Sequence, residues 1–231
     1  MQDFSVSLNG NFDEYLGIPP GETLAETIVL TSNERLRRTL IRAYNQSMVH
    51  KGERAWLAAR IFSIDAWLGQ QYELARTTHV GLPRLLDAGS ELLLWSTTAP
   101  SGQENLAPLA RDAWRLCWQW KIPIDEYALR KTENGRLFHD WAERFSARLQ
   151  ALNAITRPEL ATRLTRLPAP SPERVLRFAL ESPTSGLDDY LSHLTAGGWQ
   201  VASRDAPLRE ASDCVRVSFQ DPRQELSAAA Q

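Results

Sequence analysis

Thr31, Ser32 and Asn33, followed by Arg35, Arg38 and Arg42, are the residues whose types and order suit one chemistry, contact with a polyanion. Hydroxyl and amide side chains, together with backbone N–H groups, match the oxygens of a phosphate. The arginines stand at i, i+3 and i+7, which places them on one stripe of a helix. The run from Ile28 to Leu40 reads as a short buried strand, a tight polar turn and a helix that opens with Arg35, Arg37 and Arg38. A strand that delivers its chain into a free helix N-terminus gathers unpaired N–H groups, and the helix dipole adds to them. The Gly-rich loop ending in Lys-Ser/Thr that holds a nucleoside triphosphate is missing. The expected chemistry is phosphate contact without ATP hydrolysis.

Ordinary helix capping accounts for the same residue types. Thr31 and Glu34 match a capping box, and Asn33 is an alternative cap. Glu34 and Arg38 are spaced for an i, i+4 ion pair on a solvated face.

Elsewhere the chemistry is thinner. Trp114, Trp118 and Trp120 are candidates for base stacking, but Trp114 and Trp118 share a helix face, which favours packing. Trp120, beside Lys121, is the one expected to be exposed. His50, His79, His139 and His193 are scattered, and none reads as having an i+3 or i+4 partner for a metal pair. His139 and Asp140 read as helix surface. Asp188 and Asp189 sit at a helix start, where carboxylates favour the dipole. The carboxylate-and-lysine set of a metal-dependent nuclease is not legible, nor is a Ser nucleophile elbow or a Cys-His pair. No catalytic residue, metal ligand or cofactor site is expected in these residues.

Composition sets the frame. The 231 residues suffice for one large domain or two small ones. Net charge is −2, so any contact with nucleic acid must come from a local patch. Cys117 and Cys214 lie far apart without metal-ligand spacing, which fits a reduced, cytoplasmic setting. No stretch reaches membrane-span length, and the N-terminus lacks a basic region followed by an apolar run. Eight tryptophans, mostly in segments of helical periodicity, point to a helix-rich core.

The elements that must position these residues follow from periodicity. Ile28 to Leu30 is a strand, and the helix after it presents Leu36, Leu40, Ala43 and Tyr44 until Gly52. Ala58 to Phe62 is a second strand, and Ser63 caps a helix with Ile64, Trp67, Leu68, Tyr72 and Ala75 inward. Asp87 to Thr97 is apolar nearly all round at Leu92 to Trp95, so it is expected to be buried between neighbours. Further helices run from Leu106 to Pro123 and from Asn134 to Leu152. Thr156 to Glu159 is another capping box. Residues 64 to 167 thus read as helical throughout. The Pro-rich stretch from Pro168 to Pro172 is the sharpest break. After it come strands at Val175–Leu180, Trp199–Ala202 and Val215–Phe219, with a helix from Leu187 to Leu194 ended by Gly197. Alternating strands and helices predict a parallel sheet. Asp221-Pro222-Arg223-Gln224 starts a helix that has no room to finish, so the chain is expected to be a fragment of a longer protein.

Residues 28 to 40, with the stretch from Ala59 to Leu68, resemble the N-terminus of large bacterial proteins described as probable DNA repair proteins. These are relatives of AddB, RexB and RecC. Leu92 to Trp95, Ala113 to Trp120, Phe138 to Trp141 and Asp221 to Ala230 echo the same family in the same order. The resemblance implies an α/β fold in which a RecA-like parallel sheet, of degenerate P-loop-helicase type, is interrupted by a large all-helical insertion. It implies the divisions 1–63 (first part of the α/β domain), 64–168 (helical insertion), 169–219 (return to the α/β domain) and 220–231 (start of a following domain). It places Thr31, Ser32 and Asn33 on single-stranded DNA phosphates. It also implies an ATP-hydrolysing helicase partner subunit, and a PD-(D/E)XK nuclease domain beyond these residues. Two other readings stand beside it: a helical protein-interaction module that binds through its Trp-rich helices, and an α/β domain that binds a small phosphorylated ligand.

Overall fold

A computed structural model of the chain describes residues 12–18, 24–180 and 183–205. The expected strand at Val215–Phe219 and the helix start at Asp221 lie outside the described residues.

Four short strands form one all-parallel sheet: β1 (Thr27–Thr31), β2 (Ile61–Ser63), β5 (Arg174–Phe178) and β6 (Gln200–Arg204). Their order is β2-β1-β5-β6. The chain therefore steps outward from β1 to β2, then returns past β1 to β5 and continues to β6. The prediction of a parallel sheet in an α/β fold holds. β1 is buried at every position, as a strand covered on both faces should be.

Each face of the sheet has its own helices. Val29, Ile61, Leu176 and Phe178 meet Leu40, Ala43 and Tyr44 of α2 (Glu34–His50), with Phe12 and Leu16 of α1 (Phe12–Leu16). Ile28, Leu30 and Val175 point the other way, as the period of two requires. They meet Trp67 and Tyr72 of α3 (Ile64–Thr78), Leu160 and Leu164 of α8 (Leu160–Leu164), and Leu187, Tyr190 and Leu191 of α9 (Ser185–Ala196).

The other helices between β2 and β5 surround a separate core. α4 (Ala88–Thr97), α5 (Ala107–Trp120) and α7 (Glu133–Ala151) converge on Trp95, Trp114, Trp141 and Phe145, and the short α6 (Tyr127–Arg130) precedes α7. Trp95 stacks on Phe145 with ring centroids 3.8 Å apart, while Trp114 and Trp141 meet Trp95 edge-on at 5.9 and 5.8 Å. Each buried indole removes on the order of 200 Å² from water, about 5 kcal/mol as an upper bound. The Trp141 indole N–H donates to the Trp95 carbonyl at 3.1 Å, and that of Trp114 to Thr156 Oγ1 at 2.9 Å. Thr156 also forms the expected capping box, its backbone N–H donating to Glu159 Oε1 at 2.9 Å.

Three expectations about these helices need correction. Residues 64 to 167 are not helical throughout, because β3 (Arg84–Leu85) pairs in parallel with β4 (Ala154–Ile155). Two-residue strands are too short to show a period. α4 is not buried all round: Leu94 and Trp95 are inside, but Leu93 is 65% exposed, because α5 and α7 cover only one side. α5 ends at Trp120 rather than at Pro123, closed by Lys121 in the left-handed region (φ 54°). Among the described residues no helix is long and apolar enough to cross a membrane.

Candidate nucleic-acid interface

The strand order reverses between β1 and β5. In open parallel sheets that reversal parts the connections above it and leaves a crevice at the carboxyl ends of the strands. A crevice of about 420 Å³ lies there, lined by Ser32 after β1, Asp65 in the first turn of α3, Ala179 and Leu180 after β5, and Thr184 before α9. Three helices thus begin at its walls. Ser63 and Thr184 occupy the N-cap positions of α3 and α9, and neither side chain makes a capping hydrogen bond. The first-turn N–H groups that a helix cannot pair internally are therefore left unclaimed by those caps.

Asn33 caps α2. Its Oδ1 accepts the N–H of Leu36 at 2.9 Å, and its amide donates to Ser32 Oγ at 3.1 Å. Ser32 and Asn33 are both exposed. Thr31 is not a cap, which corrects the capping-box reading. It is the last residue of β1, fully buried, and its hydroxyl approaches the carbonyls of Asn33 and Phe62, each at 3.1 Å. The strand runs one residue further than its apolar run suggests, so Thr31 points inward. It positions the corner and does not reach the crevice.

The arginines divide. Arg38 pairs with Glu34 at 3.1 Å, as the spacing alone predicts, and Arg37 pairs with the same carboxylate at 2.7 Å. Partial burial works against the Glu34 carboxylate, but its hydrogen bonds and ion pairs with Arg38 and Arg37 together hold its pKa below the usual value. Arg35 and Arg42 are exposed and have no ion pair among the described residues. Arg38 and Arg42, with Ile41 and Val49, border a shallow groove on the outer face of α2. The structure thus brings Ser32 to the crevice, sets Asn33 beside it as the cap of α2, buries Thr31, and places Arg38 and Arg42 along the helix that leads away.

Other expected features resolve into packing. Trp114 is buried in the helical core and Trp118 packs against it, while Trp120 is 49% exposed. Asp188 pairs with Arg177 at 3.3 Å, and Asp189 pairs with Lys121.

Two features escaped the sequence reading. One is Ala179, held at φ +52° on the wall of the crevice, where no glycine announces a left-handed residue. The other is His139. It is buried, which corrects its reading as helix surface, and Glu143 stands at i+4 on the same face. The spacing was visible, but a carboxylate was not weighed as the second ligand.

Neither family models nor curated proteins give a match to this chain.

Proposed function

We propose that this chain is the non-catalytic, helicase-like part of a DNA repair protein of the AddB, RexB and RecC kind, and that it guides a single DNA strand toward a nuclease domain elsewhere in the full-length protein. In this reading the four-stranded sheet is the degenerate RecA-like layer, and the helices between β2 and β5 are its insertion. The observation that carries the proposal is exposed Ser32 at the carboxyl end of β1, lining the crevice, with exposed Asn33 beside it as the cap of α2.

A phosphate at that corner would accept hydrogen bonds from the Ser32 hydroxyl and from first-turn N–H groups of α2. Arg35 and Arg42 would neutralise the phosphates that follow, releasing counterions. Asp65 on the crevice wall opposes this, so the deepest part of the crevice suits a sugar or base edge better than a second phosphate. No step calls for nucleotide hydrolysis. An ATP-hydrolysing partner subunit would supply movement.

The test is binding of a single-stranded oligonucleotide as a function of salt. The intact chain is expected to bind at low salt. Arg35→Ala/Arg42→Ala is expected to flatten the slope of log K against log salt by about 1.4, two single-strand phosphate contacts at about 0.7 each. No binding at 50 mM salt, or an unchanged slope in the double variant, rejects the proposal.

A second reading draws on the size of the crevice. At about 420 Å³ it falls within the range of small-molecule sites. It takes the crevice as the seat of a small phosphorylated ligand. A free mononucleotide that binds as tightly as an oligonucleotide would favour this reading over DNA guidance.

A further inference from the structure

Another groove is lined by residues of the helical cluster. It has a volume of about 660 Å³ and lies between the C-terminal end of α5, the loop after it and α7. Ile122, Ile124 and Ala142 contribute apolar walls, and Asp125, His139 and Glu143 stand among its polar residues. Lys121 borders it too, but is paired with Asp189.

His139 is 9% exposed, so the helical core restricts where its ring can turn. Its Nδ1 lies 3.2 Å from Asp140 Oδ1. A carboxylate there draws the ring proton to Nδ1 and leaves the lone pair on Nε2. Nε2 makes no hydrogen bond among the described residues, and its nearest carboxylate is Glu143 Oε1 at 3.9 Å. That gap is too long for a hydrogen bond. Two ligand atoms on one tetrahedral ion, each about 2.1 Å from it, stand about 3.4 Å apart, so an ion bridges the pair once the Glu143 carboxylate moves in by about half an ångström. Ligand atoms of His139, Asp140 and Glu143 all lie within 4.8 Å of one another.

We propose that His139 and Glu143 bind a divalent transition-metal ion at the edge of this groove, with Asp140 fixing the imidazole from behind. One imidazole and one carboxylate suit Zn²⁺ or Co²⁺ better than Mg²⁺ or Ca²⁺, which take oxygen ligands. Glu143 is exposed at 67% of its side chain and is free to close the last few tenths of an ångström. Two protein ligands leave coordination positions open toward the groove. Water would fill them, so the site is open rather than a closed structural centre.

Titration of the whole chain with Co²⁺, followed by its visible absorption and by displacement with Zn²⁺, tests the proposal. One equivalent is expected to bind with nitrogen and oxygen ligation. His139→Gln and Glu143→Gln are each expected to weaken binding at least tenfold, and Asp140→Asn about tenfold through the imidazole. Cys117→Ser, which alters the buried thiol bordering the same groove, is expected to change nothing. Thermal melting checks that each variant is folded. If His139→Gln unfolds, the exposed Glu143→Gln decides. Affinity unchanged in Glu143→Gln, no binding below millimolar Co²⁺, or a thiolate charge-transfer band lost in Cys117→Ser would each overturn the site.

Discussion

Around β1 aliphatic strands are layered between helices whose aromatic rings, Trp67 and Tyr190 on one face and Phe12 and Tyr44 on the other, pack onto them, whereas around Trp95 the rings interlock with no sheet between them. In the sheet layer, Ile28, Leu30 and Val175 alternate with Val29 and Leu176 between two sets of helices. Main-chain polar groups are paired along the strands, and the unpaired ones collect at strand and helix ends. The crevice beside Ser32 follows from that. In the helical cluster, four large rings meet edge-on or stacked, and their polar atoms must find partners within the core. Trp114 and Trp141 do; the indole N–H groups of Trp95 and Trp118 find none among the described residues. The lesson is that the two cores place their reactive surfaces differently. The sheet offers N–H donors at its carboxyl edge, which favour anions. The cluster offers lone pairs on the outer side of α7, which favour cations.

The largest expected effect tests whether the two cores are separate units. Trp95→Ala removes a fully buried ring that touches Trp114, Trp141 and Phe145. It is expected to destabilise by about 3–5 kcal/mol. Native-state hydrogen exchange is expected to show lost protection in α4 and α7, with β1 and β5 protected as before. Equal loss in both regions would break the distinction drawn between them.

Thr31→Val addresses the sheet side. The hydroxyl it removes bonds within the corner and to the carbonyl of Phe62, next to β1. Loss of about 2 kcal/mol is expected in urea denaturation. A neutral substitution would mean that the apolar packing of β1 alone holds the corner above it.

These two variants also show what was legible in the residues beforehand. The strand at Ile28 to Leu30, the inward faces of α2 and α3, and the parallel sheet were readable, because period and β-branched runs report burial directly. Thr31 was misread because a threonine before a polar turn suits a cap and a strand end equally, and only the register of β1 with β2 and β5 turns it inward. Leu93 was misread because four apolar residues in a row say nothing about how many neighbours a helix has. The crevice was half legible. Ser32 stood out, but Ala179 and Thr184 reach it through pairing of distant strands, which no local pattern encodes.

Glu91 carries the contrast into electrostatics. It is buried in α4 with one carboxylate oxygen unpartnered among the described residues. Burial pushes its pKa above the ordinary 4.5, and the nearby Glu159 charge adds to this, against the smaller pull of Arg111 and Arg157. The folded chain therefore keeps a proton that the unfolded chain has released. The stabilising contribution is full below the unfolded value near 4.5 and is lost as pH rises through the folded value. Glu91→Gln is expected to stabilise the chain by about 1 kcal/mol at neutral pH. It should also remove that part of the decline in stability above pH 4.5. Melting temperatures across pH check it, and an unchanged slope would show that water already reaches the carboxylate.

The smallest expected effect returns to the crevice. Ala179 follows β5 at φ +52°, with its N–H donating to the Arg204 carbonyl at 2.9 Å. A Cβ in the left-handed region costs about 1–2 kcal/mol. Glycine would relieve that, but would give back about half through a freer unfolded chain. Ala179→Gly is therefore expected to stabilise by less than about 1 kcal/mol while leaving the hydrogen bond to Arg204 in place. Ala179 also packs against the Val29 and Phe178 side of the sheet, so its methyl contributes some burial. A destabilised Ala179→Gly would show that this packing outweighs the backbone strain. The left-handed residue would then belong to the core on the α2 side of the sheet rather than to the crevice it borders.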